Sequence, residues 1–301
     1  MWRRLLILIL VGVVLGAPIV LGLTAPKTVP ASLLGSYTPK LENGRTMFLV
    51  GGCASCHATP DQDDSTRLGG GRELKTDFGT FRVPNISPHL RDGIGGWNEA
   101  QFANAMLRGT SPDGHHYYPA FPYPSYQRMR VSDVRDLFAF LRTLPPVDGK
   151  PFGHEAPFPF NIRAGIGIWK YLYLDGRSFQ PDRSQSETWN RGAYLVEGAG
   201  HCAECHSPRD ILGGIISSRR YMGGPNPAGE GSVPDVTQDA LAKWSEEDFV
   251  TLLEFGEMPD GNTVGGDMRL VTRNTAQLLP DDRKAIASYL KTLRPGSGAK
   301  K

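Results

Sequence analysis

Two pentapeptides constrain this chain more than any other feature: Cys53-Ala54-Ser55-Cys56-His57 and Cys202-Ala203-Glu204-Cys205-His206. They use all four cysteines of the 301 residues, and each pair runs directly into a histidine. Two thiols one helical turn apart can reach the two vinyl groups along one edge of a porphyrin, and the adjoining imidazole can meet the iron from one face. With this composition a chance match to the pattern is expected about once in a thousand such chains. Two matches imply two covalently attached c-type haems, held by Cys53, Cys56, Cys202 and Cys205, with His57 and His206 as proximal iron ligands. A redox dithiol would be expected beside a βαβ pattern, and a four-cysteine zinc site would space its pairs by about 15 to 20 residues. Here the pairs lie 149 residues apart. Two disulfides, the plain expectation outside the cytoplasm, leave both histidines unexplained.

The second half repeats the first. Gly44 stands nine residues before Cys53 and Gly192 ten before Cys202, each opening an apolar stretch that reads as a helix packed on the haem. VPNIS at 83–87 answers VPDVT at 233–237. Trp97, Phe102, Gly109, Pro112, Asp113 and Gly114 correspond to Trp244, Phe249, Gly256, Pro259, Asp260 and Gly261, each pair 147 apart. DLFAFLRTLP at 136–145 and AIASYLKTLR at 285–294 both carry helical apolar periodicity. Each unit therefore reads as a helix into the haem motif, a Gly/Pro-rich loop, a helix after the tryptophan, a second loop and a closing helix. The fold expectation is mostly α with long loops, with haem supplying core that loops cannot. The units are placed at 40–145 and 184–296, with 146–183 as linker. That linker carries FPFNIRAGIGIWKYLYL at 158–174, too apolar for a flexible tether. It is expected in the groove between the units, with a membrane-surface contact as the other reading.

At the N-terminus, Arg3 and Arg4 precede Leu5 to Leu23, nineteen residues without a charge. A helix rising about 1.5 Å per residue over that run spans a bilayer core. A secretory signal has a shorter apolar region of about 7–15 residues and a small-residue cleavage site, and no A-x-A follows here. Residues 1–30 are expected to be an uncleaved anchor, with a cleaved signal as the alternative. Arg3 and Arg4 should stay cytoplasmic, which puts the rest of the chain outside that membrane. Lys plus Arg number 33 against 31 Asp plus Glu, so nothing implies a nucleic-acid partner.

A thioether opposite histidine raises a haem's potential and fills its last site, as electron carriage requires. Met268 is the expected sixth ligand in the second unit, because Gly265-Gly266 before it allow the backbone close to the haem edge. The same register puts Phe121, which cannot ligate iron, at that place in the first unit. Met129 is the expected substitute, with His116 or His115 as the alternative, then an open iron. Met106 lies inside a helical apolar pattern, where methionine usually fills core. Met129 precedes a helix that Ser132 could cap, and the repeat sets Leu278 opposite it, so plain packing competes for this residue too. Pro84 and Pro234 each offer a carbonyl that could orient a proximal imidazole, the competing reading being an ordinary loop proline.

The CxxCH pairs, together with FGTFRVPNISP at 78–88, GIGGWNEAQF at 93–102, RGTSPDGHHYYPAFPYPSY at 108–126 and VGGDMRLV at 264–271, resemble the cytochrome c subunits of membrane-associated alcohol and gluconate dehydrogenases. The likeness to two-haem relatives of those subunits is closer, and it runs from residue 40 to 296. It implies two tandem cytochrome c domains behind an N-terminal transmembrane helix. It also implies an electron carrier rather than an enzyme, with a periplasmic dehydrogenase as donor and quinone, an oxidase or another cytochrome as acceptor. The sequence departs from that group in carrying two haem motifs where the well-known subunits carry three, and in Phe121 where they have the methionine of a PAMPY segment. A dihaem enzyme of peroxidase or thiosulfate-oxidising type, with an open haem in the first domain, is the rival reading. A soluble carrier released by signal cleavage is the third.

Overall fold

The computed structural model describes residues 2–149, 153–227 and 229–298, and it is mostly helical. In chain order the helices are α1 (Trp2–Thr24), α2 (Leu41–Val50), α3 (Cys53–His57), α4 (Glu99–Arg108), α5 (Tyr123–Tyr126) and α6 (Val131–Leu141). Then come α7 (Ala164–Tyr173), α8 (Glu187–Glu197), α9 (Cys202–His206), α10 (Glu246–Phe255), α11 (Met268–Thr275) and α12 (Pro280–Leu290). A short antiparallel hairpin, β1 (Glu73–Thr76) with β2 (Gly79–Arg82), registers Glu73 on Arg82. A smaller one pairs β3 (Gly224–Pro225) with β4 (Ser232–Val233).

The organising contacts occur twice. Helix α2 crosses α6 at Gly44, where any methyl group would collide with the Asp136 carbonyl, and α8 crosses α12 at Gly192, where it would collide with the Ala285 carbonyl. Glycine lets two backbones approach to a separation no other residue permits. The helices after the two tryptophans are built alike as well. Asn98 caps α4 in a capping box with Gln101, and Ser245 caps α10 in one with Asp248. Each box satisfies two N-terminal amides that would otherwise lack partners. Both helices then end on a left-handed glycine, Gly109 and Gly256.

Most of the buried apolar side chains form one continuous cluster through both halves, with Met47, Phe48, Leu49 and Val50 of α2 joined to Tyr194, Leu195 and Val196 of α8. Phe102 and Phe138 stack at 4.8 Å within it. The closing helix α6 starts two residues earlier than its sequence suggests. Arg130 precedes it without a side-chain cap, and Ser132 instead bonds Asp133 within the first turn. Asp133 also takes a bond from Asn43 and pairs with the Tyr194 hydroxyl, so neighbours distant in sequence hold the side chain of the first turn.

Helix α1 is 23 residues long with mean hydropathy 2.9 over its best window, long and apolar enough to cross a membrane. The chain leaving it is pinned at once to the rest of the protein. His116 Nε2 donates to the Thr24 carbonyl at 3.0 Å, Thr110 Oγ1 to the Lys27 carbonyl at 2.8 Å, and the Val29 amide to Asn104 Oδ1 at 2.7 Å. Helix α7, from the apolar linker run, touches both halves. Lys170 Nζ donates to the carbonyls of Arg108 and Gly109, Trp169 Nε1 to that of Leu212, and Tyr173 Oη to Asp210. This matches a segment seated across the two halves, although its outer face is left uncovered.

Candidate haem sites

Each CxxCH pentapeptide folds as a single helical turn, which puts its two sulfurs on one face. The residue before each turn is left-handed: Gly52 at φ 55° before α3 and His201 at φ 41° before α9. A histidine held there is strained, which over-determined surroundings must compensate. Its ring supplies some of them, with Nε2 donating to the Gly51 carbonyl at 3.2 Å and the ring edge-on to Tyr126 at 5.6 Å. No disulfide joins any of the four cysteines. Burial pushes the Cys53 and Cys202 thiols up to about 12 and lowers His57 to about 4, with His206 lowered for the same reason. The imidazoles are therefore neutral, as metal coordination demands.

The tautomer of each imidazole follows from its neighbour. His57 Nδ1 lies 2.8 Å from the Pro84 carbonyl, and His206 Nδ1 lies 2.9 Å from that of Pro234. A carbonyl only accepts, so each Nδ1 carries the proton and each Nε2 keeps a lone pair without a protein partner among the described residues. This is the orienting bond that fixes a ligating histidine and raises its basicity. The His57 carbonyl accepts from Gly70 N at 2.8 Å and the His206 carbonyl from Gly223 N at 2.9 Å. Gly70 and Gly223 are left-handed, and a Cβ on either would meet the Pro84 or Val233 carbonyl at 2.5 Å. Only glycine lets that strand approach. With paired thiols, neutral imidazoles and free Nε2 atoms, the residues fit covalently held haem.

The two turns are also tied crosswise. Asn274 Nδ2, on α11 of the second half, donates to Ser55 Oγ at 2.8 Å, while Ser125 Oγ, on α5 of the first half, donates to Glu204 Oε1 at 2.7 Å. Ser55 and Glu204 are the third residues of the two pentapeptides. Arg72 adds a second link, donating to the Ser55 carbonyl at 2.9 Å and pairing with Asp267 at 2.8 Å. Burial alone would raise the Glu204 carboxyl, but Arg209 and the Ser125 hydroxyl override it and hold the group below the ordinary carboxylate range.

The sequence-predicted sixth ligands fall in contrasting places. Met268 is half-buried as the first residue of α11, following the left-handed Gly266 and the Arg72-paired Asp267. Met129 is 2 % exposed and packs toward α8, its Cγ 3.5 Å from where a Cβ on Gly198 would sit. Leu278, its counterpart, is likewise buried in the shared cluster. His116 is buried with Nε2 committed to Thr24, its Nδ1 lacking a partner among the described residues, whereas His115 is exposed beside Asp113. Met106 fills core inside α4. Phe121 sits in a ring cluster with Tyr117, Tyr123 and Tyr126, at centroid distances of 5.8, 6.2 and 5.6 Å. Burial pushes the Tyr126 hydroxyl well up, with Cys53 and Cys56 adding to the effect.

Sequence reasoning passed over Gly70 and Gly223, His201, Ser125, Asn274 and Arg72. Gly70 was detectable in the glycine run at 69–71 and Gly223 in the pair at 223–224, but their loops differ in length and fall outside the 147-residue register. The crosswise bonds have no sequence signal.

A family model described as cytochrome c matches residues 41–145. The chain is 48 % identical over 273 residues to a protein named diheme cytochrome c-type from Cereibacter sphaeroides, covering 90 % of this chain and 92 % of that protein. It is 34 % identical over 270 residues to the fructose dehydrogenase cytochrome subunit of Gluconobacter japonicus, covering 88 % of this chain and 54 % of that one. It is 31 % identical over 264 residues to the gluconate 2-dehydrogenase cytochrome c subunit of Pantoea cypripedii, at 84 % and 59 %. The chain thus spans nearly all of the first relative and little more than half of these two dehydrogenase subunits.

Proposed function

Because the chain belongs to the cytochrome c family, we propose that it carries two covalently attached haems and relays electrons from a periplasmic dehydrogenase toward quinone, an oxidase or another cytochrome. It has no substrate chemistry of its own. It consists of two tandem cytochrome c domains, 40–145 and 184–296, joined by a linker at 146–183. The helix near the N-terminus anchors it in the bacterial cytoplasmic membrane, with the haem domains facing the periplasm. The observation that carries this reading is the duplicated pentapeptide whose histidine is braced at Nδ1 by a proline carbonyl, leaving Nε2 free.

In this reading Cys53 with Cys56, and Cys202 with Cys205, hold the two porphyrins, and His57 and His206 are their proximal ligands. Bound haem supplies a one-electron couple. The chain's residues hold that couple in place: the Pro84 and Pro234 carbonyls fix the imidazoles, and the crosswise bonds fix one attachment turn against the other. Met268 is the sixth ligand of the second haem. Met129 is that of the first, favoured over His116, whose Nε2 is taken up by the Thr24 carbonyl. Phe121 then covers the haem face as part of its aromatic cluster.

Mature protein should contain two haems per chain by haemochrome assay and intact mass, and both should be low-spin by EPR. Met268→Ala should convert the second haem to a high-spin or water-bound form, and Met129→Ala the first. Unchanged low-spin signals in Met129→Ala would overturn that assignment. Stoichiometric carbon monoxide binding to one reduced haem of the wild type would favour the rival with an open iron. A dehydrogenase copurifying with the chain would identify the donor.

A further inference from the structure

Helix α7 leaves an apolar stripe uncovered. With successive residues about 100° apart around the axis, Ile166, Trp169, Lys170 and Tyr173 share the face toward the body, where the last three make the hydrogen bonds described above. Gly167 faces the end of α1, since a Cβ there would collide with the Thr24 carbonyl. Ile168, Tyr171 and Leu172 point away from the body and are 49, 63 and 41 % exposed. Phe158, just ahead of the helix, is exposed too.

What covers this stripe follows from its neighbour. The last turn of α1 rests directly on α7, and the residues after it are pinned at Thr24, Lys27 and Val29, so no loose tether separates anchor from body. A bilayer that holds α1 must therefore end beside α7. The stripe also has interfacial composition, with aliphatic side chains and a tyrosine whose hydroxyl can reach the headgroups. We propose that the outer face of α7 lies in the headgroup region of the membrane that α1 enters, giving the body a second contact and a fixed orientation on the bilayer. This rests on the anchor reading of α1.

The test uses the full-length holoprotein in vesicles of phosphatidylcholine and phosphatidylglycerol. With the native cysteines bound to haem, one introduced cysteine takes a nitroxide label. Tyr171→Cys and Leu172→Cys report on the stripe, Leu90→Cys, at a site 78 % exposed on the first half, reports on the aqueous surface, and Val14→Cys reports on α1. Collision rates with oxygen and with a water-soluble nickel chelate are compared. The oxygen-to-nickel ratio at 171 and 172 should exceed that at 90 several-fold, at a depth of about 5–10 Å into the interface. A ratio equal to that at 90, with Val14 in lipid, overturns the inference while leaving the anchor intact. Labels shielded from both reagents indicate a protein partner and also overturn it. An aqueous Val14 label removes the anchor and this inference together.

Discussion

Gly192 offers a sharp test of how the second CxxCH turn is supported. On helix propensity alone, Gly192→Ala in the middle of α8 should stabilise the protein by about 1 kcal/mol. The crossing geometry reverses that sign. The new methyl would overlap the Ala285 carbonyl and lie 3.0 Å from Tyr289 Cβ, and a backbone carbonyl cannot rotate out of the way. Helices α8 and α12 must separate until the contact is ordinary, which loosens Tyr194, Leu195 and Tyr289, all buried at this junction. Overpacking of this kind costs about 1–3 kcal/mol. A crossing shared by two whole helices belongs at the upper end, so after the propensity term a net loss of about 2 kcal/mol is expected. Gly165→Ala on α7, where a Cβ meets nothing within 4 Å, is the control and should be neutral or slightly stabilising. Guanidinium unfolding of the holoproteins, followed by far-ultraviolet circular dichroism and Soret absorbance, measures both. A Gly192→Ala protein as stable as wild type would refute the argument, because the crossing would then have slack the structure does not show.

Other consequences can be measured on the same preparations. Gly70→Ala should push the Pro84 carbonyl away from His57 and make that imidazole a weaker base, raising the potential of the first haem in a redox titration while leaving the second in place. Ser125→Ala removes a hydrogen bond to a buried carboxylate and should cost about 1.5–3 kcal/mol in denaturant unfolding. Glu204, depressed in the folded state, contributes stability that is present above the ordinary carboxylate range and lost as pH falls through its lowered value. Acid should therefore destabilise the wild type more steeply than Glu204→Gln, as read from unfolding midpoints across an acid series. Asp267→Ala removes the partly exposed pair with Arg72 while leaving the Arg72 bond to the Ser55 carbonyl, and should change stability by no more than about 1 kcal/mol.

The local chemistry was readable in the sequence because it repeats. Trp97 and Trp244 announce two helices whose caps and terminal glycines recur 147 residues apart, and the structure builds α4 and α10 on those signals. The proline carbonyls were readable because a residue with no N–H and one acceptor offers an imidazole a single bond. The start of α6 was misjudged at Ser132 because Asp133, which that hydroxyl bonds, is drawn to Asn43 and Tyr194, both distant in sequence. The bonds from Asn274 to Ser55 and from Ser125 to Glu204 were invisible for the same reason: each joins common polar residues, and only the way the halves face one another selects them.

The unbroken apolar core has a consequence for how the molecule is made. Val50 and Met129 complete their surroundings against Gly200 and Gly198. If the proposed function holds, a nascent chain that has delivered only its first half would expose that face to the translocation machinery and to the enzymes that attach porphyrin at CASCH. The first attachment would then be made on an unfinished fold, and the second half would arrive as the lid that closes it.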